Sequence, residues 1–208
     1  MRPNIQKTLL IAGVAGLSLA GSPASASVVF LSGNNPQPGE QNILLNQGTG
    51  TTVSGTTNMS NTLVNFSSST GQTLIVNSSG QAFITTNNNG GFLTSINVSS
   101  PGNTFTDFIA NPHNSGPFTV SVTANDGTFN DMFPGGPGEN FVTILAQGGE
   151  TISSVAFTSS AGFERFEQPR ISGIAAAIPE PSTWAMMLLG FAGLGFAFRQ
   201  SRRKVSFA

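Results

Sequence analysis

The chain has 208 residues, of which 8 are Lys or Arg and 9 are Asp or Glu, for a formal net charge of -1. It contains no Cys and a single His, which excludes disulfides, Cys metal sites and any centre built on several His side chains. Without a basic surplus, we expect no nucleic-acid partner.

The basic residues are concentrated at the two ends of the sequence. Between Lys7 and Arg165 there is no basic residue, and only Arg165 and Arg170 lie in the central segment. The remaining basic residues are Arg2, Lys7, Arg199, Arg202, Arg203 and Lys204. The two ends therefore need an explanation separate from that of the centre.

Residues 1–26 have the parts of a secretory signal peptide. Arg2 and Lys7 precede an apolar run over residues 9–20, which is followed by a Gly-Ser-Pro sequence and then by Ala24 and Ala26. A positive segment, a short apolar run and a small-x-small end are the marks of such a peptide. A buried helix or an uncleaved anchor is disfavoured because the run is too short for an ordinary span and ends in helix breakers. We predict that signal peptidase recognises Ala24 and Ala26 and cleaves after Ala26.

Residues 27–178 are predicted to form one all-β domain, an antiparallel β-sandwich of jelly-roll-like type. Strand patterns recur between Gly, Asn, Ser and Pro turns, and no stretch shows a convincing helical period. Disorder and a Thr-lined solenoid are disfavoured, because Phe, Val and Ile are evenly distributed and no fixed repeat is present. The predicted strands are 28–31, 43–46, 62–66, 73–77, 82–86, 92–98, 104–109, 118–124, 128–133, 141–146, 151–157 and 170–174.

The clearest of these elements is the segment 118–124 with the turn that follows it. Apolar residues alternate there with Thr and Ser, so one face of the strand is apolar and the other is polar. An Asn-Asp-Gly sequence at 125–127 favours a hairpin turn into residues 128–133.

Candidate chemical groups in this domain are few. His113 lies in a segment rich in turn-forming residues, where we expect a solvated loop His rather than a catalytic base. Asp126, Asp131 and Glu139 lie in a Gly-rich region and could ligate Ca²⁺ or supply a carboxylate pair for glycoside hydrolysis. Their spacing does not match an EF-hand loop, so solvated turn acids are favoured.

Arg165 and Arg170 lie near acidic residues at the end of the domain. We expect an ion-paired loop that enters a last strand, with a ligand-binding Arg as the alternative. No nucleophile elbow, HExxH sequence or P-loop is present in the sequence. We therefore expect no enzymatic activity, no catalytic residue, no cofactor and no metal site.

Near the end of the sequence, residues 184–198 carry no polar side chain other than the indole of Trp184, and residues 199–204 carry a cluster of basic residues. A helix over this run would be roughly 22 Å long, shorter than a ~30 Å hydrocarbon core. Basic side chains can reach the phosphate layer and Trp184 suits the opposite interface, so we predict a short transmembrane helix with a cytoplasmic basic end. A core helix is the alternative.

The segment from Pro179 resembles the PEP-CTERM sorting signal in its PEPxxWA variant, because a Pro-Glu-Pro sequence, a short apolar helix and a basic cluster follow one another. The resemblance implies an exported bacterial protein that is tethered briefly in the inner membrane, recognised by an exosortase, and delivered to the cell surface or to extracellular polysaccharide. It also implies cleavage near the Pro-Glu-Pro sequence. The motif residues are Pro179, Glu180, Pro181, Trp184 and Ala185, and the cytoplasmic basic stop comprises Arg199, Arg202, Arg203 and Lys204.

Two function classes remain for the domain at 27–178, with residues 179–208 as the sorting segment. We expect a non-enzymatic component of the cell surface or extracellular matrix, since an uncharged, hydroxyl-rich β-domain suits hydrated polysaccharide. The alternative is a module that binds a carbohydrate or ice.

Overall fold

The computed structural model describes residues 27–77, 81–86, 91–114, 116–176 and 186–194. Within these ranges the chain forms sixteen strands, all paired antiparallel, and one helical segment at 186–194. The strands are β1 (Ser27–Ser32), β2 (Gln41–Leu45), β3 (Thr49–Gly50), β4 (Thr52–Thr57), β5 (Leu63–Ser67), β6 (Leu74–Asn77), β7 (Phe83–Thr86), β8 (Leu93–Ser99), β9 (Asn103–Thr104), β10 (Asp107–His113), β11 (Phe118–Ala124), β12 (Gly127–Phe133), β13 (Val142–Gln147), β14 (Ile152–Phe163), β15 (Arg165–Ser172) and β16 (Ala175–Ala176).

The strands form two layers that are continuous at one corner. The first layer has the order β1-β13-β10-β15, with β7, β6 and β3 continuing from β15, and the second has the order β4-β5-β8-β14-β11-β12. Strand β2 joins them, because its residues 41–42 pair with β15 and its residues 43–45 pair with β4. The predicted all-β antiparallel class is therefore confirmed.

Aromatic rings fill the space between the layers. Phe157 of the second layer lies 5.1 Å from Phe166 and 6.1 Å from Phe108 of the first layer, measured between ring centroids. Phe66 contacts Phe166 across the same interface at 6.3 Å. All four side chains are fully buried. Since the sequence has no Cys, this packing and the strand hydrogen bonds stabilise the domain without covalent cross-links.

The predicted strand at 118–124 and the turn after it are confirmed. Strand β11 has the predicted bounds, and β12 pairs with it from Gly127↔Ala124 to Phe133↔Phe118. Gly127 has a φ of +133°, which an L side chain rarely adopts, so the Asn-Asp-Gly turn needs glycine at this position.

Several predicted boundaries were wrong: β14 runs on to Phe163, the segment predicted at 104–109 is divided between β9 and β10, and two further strands pass through a proline. Strand β10 continues to His113 through Pro112, and the hydrogen-bonding register with β13 ends at Ala110, so the nitrogen of Pro112 interrupts no ladder on that side. Strand β15 begins at Arg165 and passes Pro169 by a bulge next to Gln168, whose φ is +53°.

Strand β4 has no predicted counterpart. Gly55 interrupts its apolar alternation, and this glycine is required because a Cβ there would lie 2.7 Å from the carbonyl oxygen of Leu44 on β2. Strand pairing across the corner, rather than local propensity, therefore determines this element.

A loop over residues 33–40 covers the outer side of the first layer. Its Gly33 amide donates to the carbonyl of Phe141, its Asn35 amide donates to Thr143 Oγ1, and Thr143 Oγ1 donates to the Gly33 carbonyl. Ile109 is fully buried on that side of β10. The first layer therefore has covered side chains on both of its faces.

Candidate functional site

The predicted sorting and processing residues lie outside the described residues. This applies to the signal-peptidase residues, to the Pro-Glu-Pro motif with its Trp and Ala, and to the basic stop: Ala24, Ala26, Pro179, Glu180, Pro181, Trp184, Ala185, Arg199, Arg202, Arg203 and Lys204. The last described residue of the β-domain is Ala176, and residues 186–194 are helical and exposed along their whole length. Within the described ranges, no helix has the length and apolarity needed to cross a bilayer.

His113 is part of a hydrogen-bonded cluster and not a solvated loop residue, so that expectation was wrong. Its Nε2 lies 2.6 Å from Glu167 Oε1, and its Nδ1 lies 3.4 Å from Arg165 Nη2. Only 13 % of the side chain is exposed. A neutral ring with its proton on Nε2 donates to the carboxylate and accepts from the guanidinium, so both ring nitrogens are occupied.

Asn111 completes this cluster from the same strand. Its Nδ2 donates to Glu167 Oε1 at 3.2 Å, and its Oδ1 accepts from the backbone amide of Asn140 at 2.8 Å. Asn140 in turn donates through Nδ2 to the carbonyl of Asn114 at 3.1 Å. The cluster therefore fastens the 134–141 loop to β10 and β15, which is a structural arrangement with no free base.

Both arginines of the domain are ion-paired, as expected, although they lie on a strand and not in a loop. Arg165 Nε lies 3.3 Å from Glu167 Oε2, and Arg170 Nη1 lies 3.0 Å from Glu40 Oε2. Arg165 is 44 % exposed, so its pair adds little stability. Arg170 is 16 % exposed and also lies 5.9 Å from the ring centroid of Phe141. Its pair with Glu40 ties the end of the 33–40 loop to β15.

Asp107 is a buried carboxyl group that the sequence reasoning missed. It is 2 % exposed, and neither of its carboxylate oxygens has a hydrogen-bond partner. The pKa of Asp107 is raised to about 7, mainly by burial and also by the negative charge of Glu40, while the positive charge of Arg170 partly offsets the rise. No local pattern marks this residue, because its burial arises from the covering 33–40 loop.

The three acids considered as Ca²⁺ ligands are all exposed. Asp131 Oδ1 accepts from the amide of Met132, and the Asp126 amide donates to Glu150 Oε1. Glu139 lies in the separate loop before β13. Among the described residues no group of three or more His, Asp or Glu side chains could hold a metal ion. The observed exposure agrees with solvated turn acids.

The outer side of the second layer is a wide polar surface, which we call the hydroxyl face. Its positions alternate with the core residues of six neighbouring strands, and cross-strand pairing aligns them in two rows with about 4.8 Å between strands. None of these positions is buried, charged or aromatic. The rows are Asn130, Ser121, Ala156, Asn97, Ser67 and Thr52, and Thr128, Thr123, Ser154, Ser99, Asn65 and Ser54.

A depression of about 430 Å³ adjoins the hydroxyl face where β11 and β14 meet the surrounding loops. Thr119 and Thr158 form part of its wall, and Met132, which is 70 % exposed, stands beside them. No charged side chain lines it. The lining residues are Ser69, Thr70, Thr94, Ser95, Pro117, Phe118, Thr119, Met132, Thr158, Ser159 and Ser160. The arrangement offers hydroxyl donors and acceptors to a neutral ligand.

The described part of the chain comprises the β-strands up to Ala176 and the helical segment at 186–194. The model of the PEP-CTERM protein-sorting motif matches residues 177–204, so the chain carries this sorting motif directly after the described β-domain. This match confirms the resemblance found in the sequence.

The wider comparisons add little to this result. No curated protein matches the chain. Among solved structures, a mutant family 29 carbohydrate binding module is 10% identical, with a TM-score of 0.26 over 76% of this chain and 99% of that chain. A family 29 carbohydrate binding module from Piromyces equi is 11% identical, with a TM-score of 0.24 over 72% of this chain and 87% of that chain. Likenesses at these TM-scores carry no argument about fold or ligand.

Proposed function

We propose that this chain is an exported, non-enzymatic component of the bacterial cell surface or extracellular matrix, sorted by an exosortase through its terminal segment. The match of residues 177–204 to the PEP-CTERM protein-sorting motif is the observation that carries the proposal. The described strands end at Ala176, immediately before this motif. An exosortase could therefore process the segment without unfolding the β-domain.

The physical steps of sorting follow from the residue types. Signal peptidase removes residues 1–26 during export, and the apolar run at 184–198 holds the precursor in the inner membrane. The basic stop keeps the far end on the cytoplasmic side. Pro179 and Pro181 cannot continue a helix and favour extended backbone before them, so the segment ahead of the membrane suits recognition by a protease-like partner.

A neutral polysaccharide is the second candidate, as the ligand of the exported domain. The hydroxyl face and its depression support this, since they offer side-chain hydroxyls and amides without any charge. Such a surface exchanges hydrogen bonds with a hydrated neutral glycan without the cost of desolvating an ion. Ice is the alternative ligand for a surface of this kind.

Sorting is tested in a host with an exosortase by replacing Pro179, Glu180 and Pro181 together with Ala. We expect the variant to stay in the membrane fraction while the unchanged chain reaches the surface or the medium. The matched control replaces two prolines and one glutamate of an exposed loop, Pro134, Pro137 and Glu139, with Ala, and should be sorted normally. Equal release of all three proteins, or release unaffected by deletion of the exosortase, contradicts the proposal.

Glycan binding is tested with Ser99→Glu, which places a charge at the centre of the hydroxyl face. We expect the unchanged chain to be retained by neutral polysaccharide and the variant to bind at least ~10-fold more weakly. Gln81→Glu, at an exposed position before β7, is the control and should bind normally. If the chain binds ice and none of the glycans, ice is its ligand. If it binds neither, the proposed binding function is wrong.

A further inference from the structure

The outer side of the first layer contains buried carboxylate oxygens that have no hydrogen-bond partner. Both oxygens of Asp107 and Oε1 of Glu40 are buried and lack a hydrogen-bond partner. Buried polar groups are nearly always hydrogen-bonded, and an uncompensated buried carboxylate is costly. A cation bound beside these oxygens would supply the partner that they lack.

The two carboxylates belong to one site. Asp107 opens β10 and is paired in register with Ser172 of β15, and Arg170 two residues earlier binds Glu40 at the end of the 33–40 loop. The charge of Glu40 acts directly on Asp107. The 33–40 loop passes over this surface and is fixed there by Thr143.

Arg170 does not complete the charge balance. Its Nη1 donates to Oε2 of Glu40 and its own Nε is buried without an acceptor, while Oε1 of Glu40 and both oxygens of Asp107 have no donor. When Asp107 and Glu40 are both ionised, their two negative charges and the one positive charge of Arg170 give the site a net charge of -1. Asp107 lines a depression of about 250 Å³ that is large enough for a small cation, and Glu40 lies beyond the residues that line it.

Residues with neutral polar side chains line the depression together with Asp107. Thr106 and Ser172 bring hydroxyl groups, and Gln37 and Gln147 bring amide groups, to the wall of the same depression. Hard cations such as Ca²⁺ bind carboxylate, hydroxyl, carbonyl and water oxygens in flexible geometry. Zn²⁺ would need His or Cys ligands, the sequence has no Cys, and its only His is held by Glu167 and Arg165.

We propose that Asp107 and Glu40 bind a divalent cation, with Ca²⁺ preferred, and that this cation fastens the 33–40 loop to β10. The site is separate from the three exposed acids considered above. A site with two carboxylates and neutral oxygen ligands should bind Ca²⁺ weakly, as extracellular modules do, with a dissociation constant of about 10⁻⁴–10⁻³ M. Binding then follows the Ca²⁺ supply outside the cell and stabilises the domain after export.

The test uses the full chain in mild detergent, freed of metal with EDTA and then dialysed. Adding 5 mM CaCl₂ should raise the melting temperature by at least ~2 °C, since ligand at ~5-fold or more above its dissociation constant stabilises the native state by about 1 kcal/mol or more. Isothermal titration with CaCl₂ should show about one site. MgCl₂ at the same concentration should give less than half of the shift.

Asp107→Asn and Glu40→Gln keep the size of each side chain and remove the charge, and each should abolish the Ca²⁺ shift. Asp131→Asn, which removes an exposed acid, is the control and should retain it. The proposal is overturned if the unchanged chain neither shifts nor binds at millimolar Ca²⁺, or if both variants shift as much as the control. Should Asp107→Asn fail to fold, Glu40→Gln alone decides between these outcomes.

Discussion

Replacing Phe157 with Ala tests the packing that unites the two layers. The ring is fully buried and lies 5.1 Å from Phe166, 6.1 Å from Phe108 and 6.5 Å from Phe118. Deleting a buried Phe side chain costs about 3–5 kcal/mol, and the loss of three aromatic contacts favours the upper half of that range. Because domains of this kind have about 5–15 kcal/mol of stability, we expect a loss of roughly 4 kcal/mol to leave a folded but much weakened protein.

Urea unfolding followed by circular dichroism measures this loss. With a slope of about 2 kcal/mol per molar urea, the midpoint should fall by about 2 M. Phe92→Ala removes the same atoms from a ring that is 46 % exposed, and it should cost about 1 kcal/mol. Equal losses in the two variants, or a loss below about 1 kcal/mol for Phe157→Ala, would show that this ring does not join the layers.

Three further predictions concern single residues, each measured by urea unfolding. Glu167→Gln should cost about 2 kcal/mol, because the neutral amide weakens the charge-assisted bond from His113. With EDTA present, the stability that Asp107 contributes should be complete below about pH 4 and be lost as the pH rises through 7, since its folded pKa is raised to about 7. The difference in stability between the unchanged chain and Asp107→Asn should therefore change over this pH range, and a difference that does not depend on pH would refute this cause. Gly162→Ala should cost more than about 1 kcal/mol, because φ is +77° and a Cβ would lie 2.4 Å from Cβ of Phe92; an unchanged midpoint would contradict this.

Local patterns were sufficient for elements whose partners are adjacent in sequence. The hairpin of β11 and β12 has both its strand alternation and its glycine turn in one short segment; β11 has the predicted bounds, and β12 begins one residue earlier than predicted. The sorting motif is likewise a local sequence feature, and its match covers residues 177–204.

The remaining features depend on pairing between distant segments. Pro112 indicates a loop by itself, and it is accommodated in β10 only because β13 has ended by that point. His113 is removed from solvent by Glu167, which lies on another strand. Asp107 is buried by the 33–40 loop, and its own neighbours in the sequence give no sign of this.

The hydroxyl face also depends on pairing between distant segments, so the sequence alone does not predict it. Each of its strands has alternating polar residues that the sequence reveals, for example Thr123 and Ser121 of β11. Their alignment with Ser154 and Ala156 of β14 into rows requires the register between strands. A list of polar positions therefore becomes a candidate binding surface only once the strand order is known.

Mass spectrometry of the protein recovered from the surface or the medium tests the central claim most directly. If the terminal segment is a sorting signal that is removed, the last peptide recovered should end between residues 177 and 185, and no peptide from 186–208 should be found. Recovery of exported protein that still carries Arg199 to Ala208 would contradict the account.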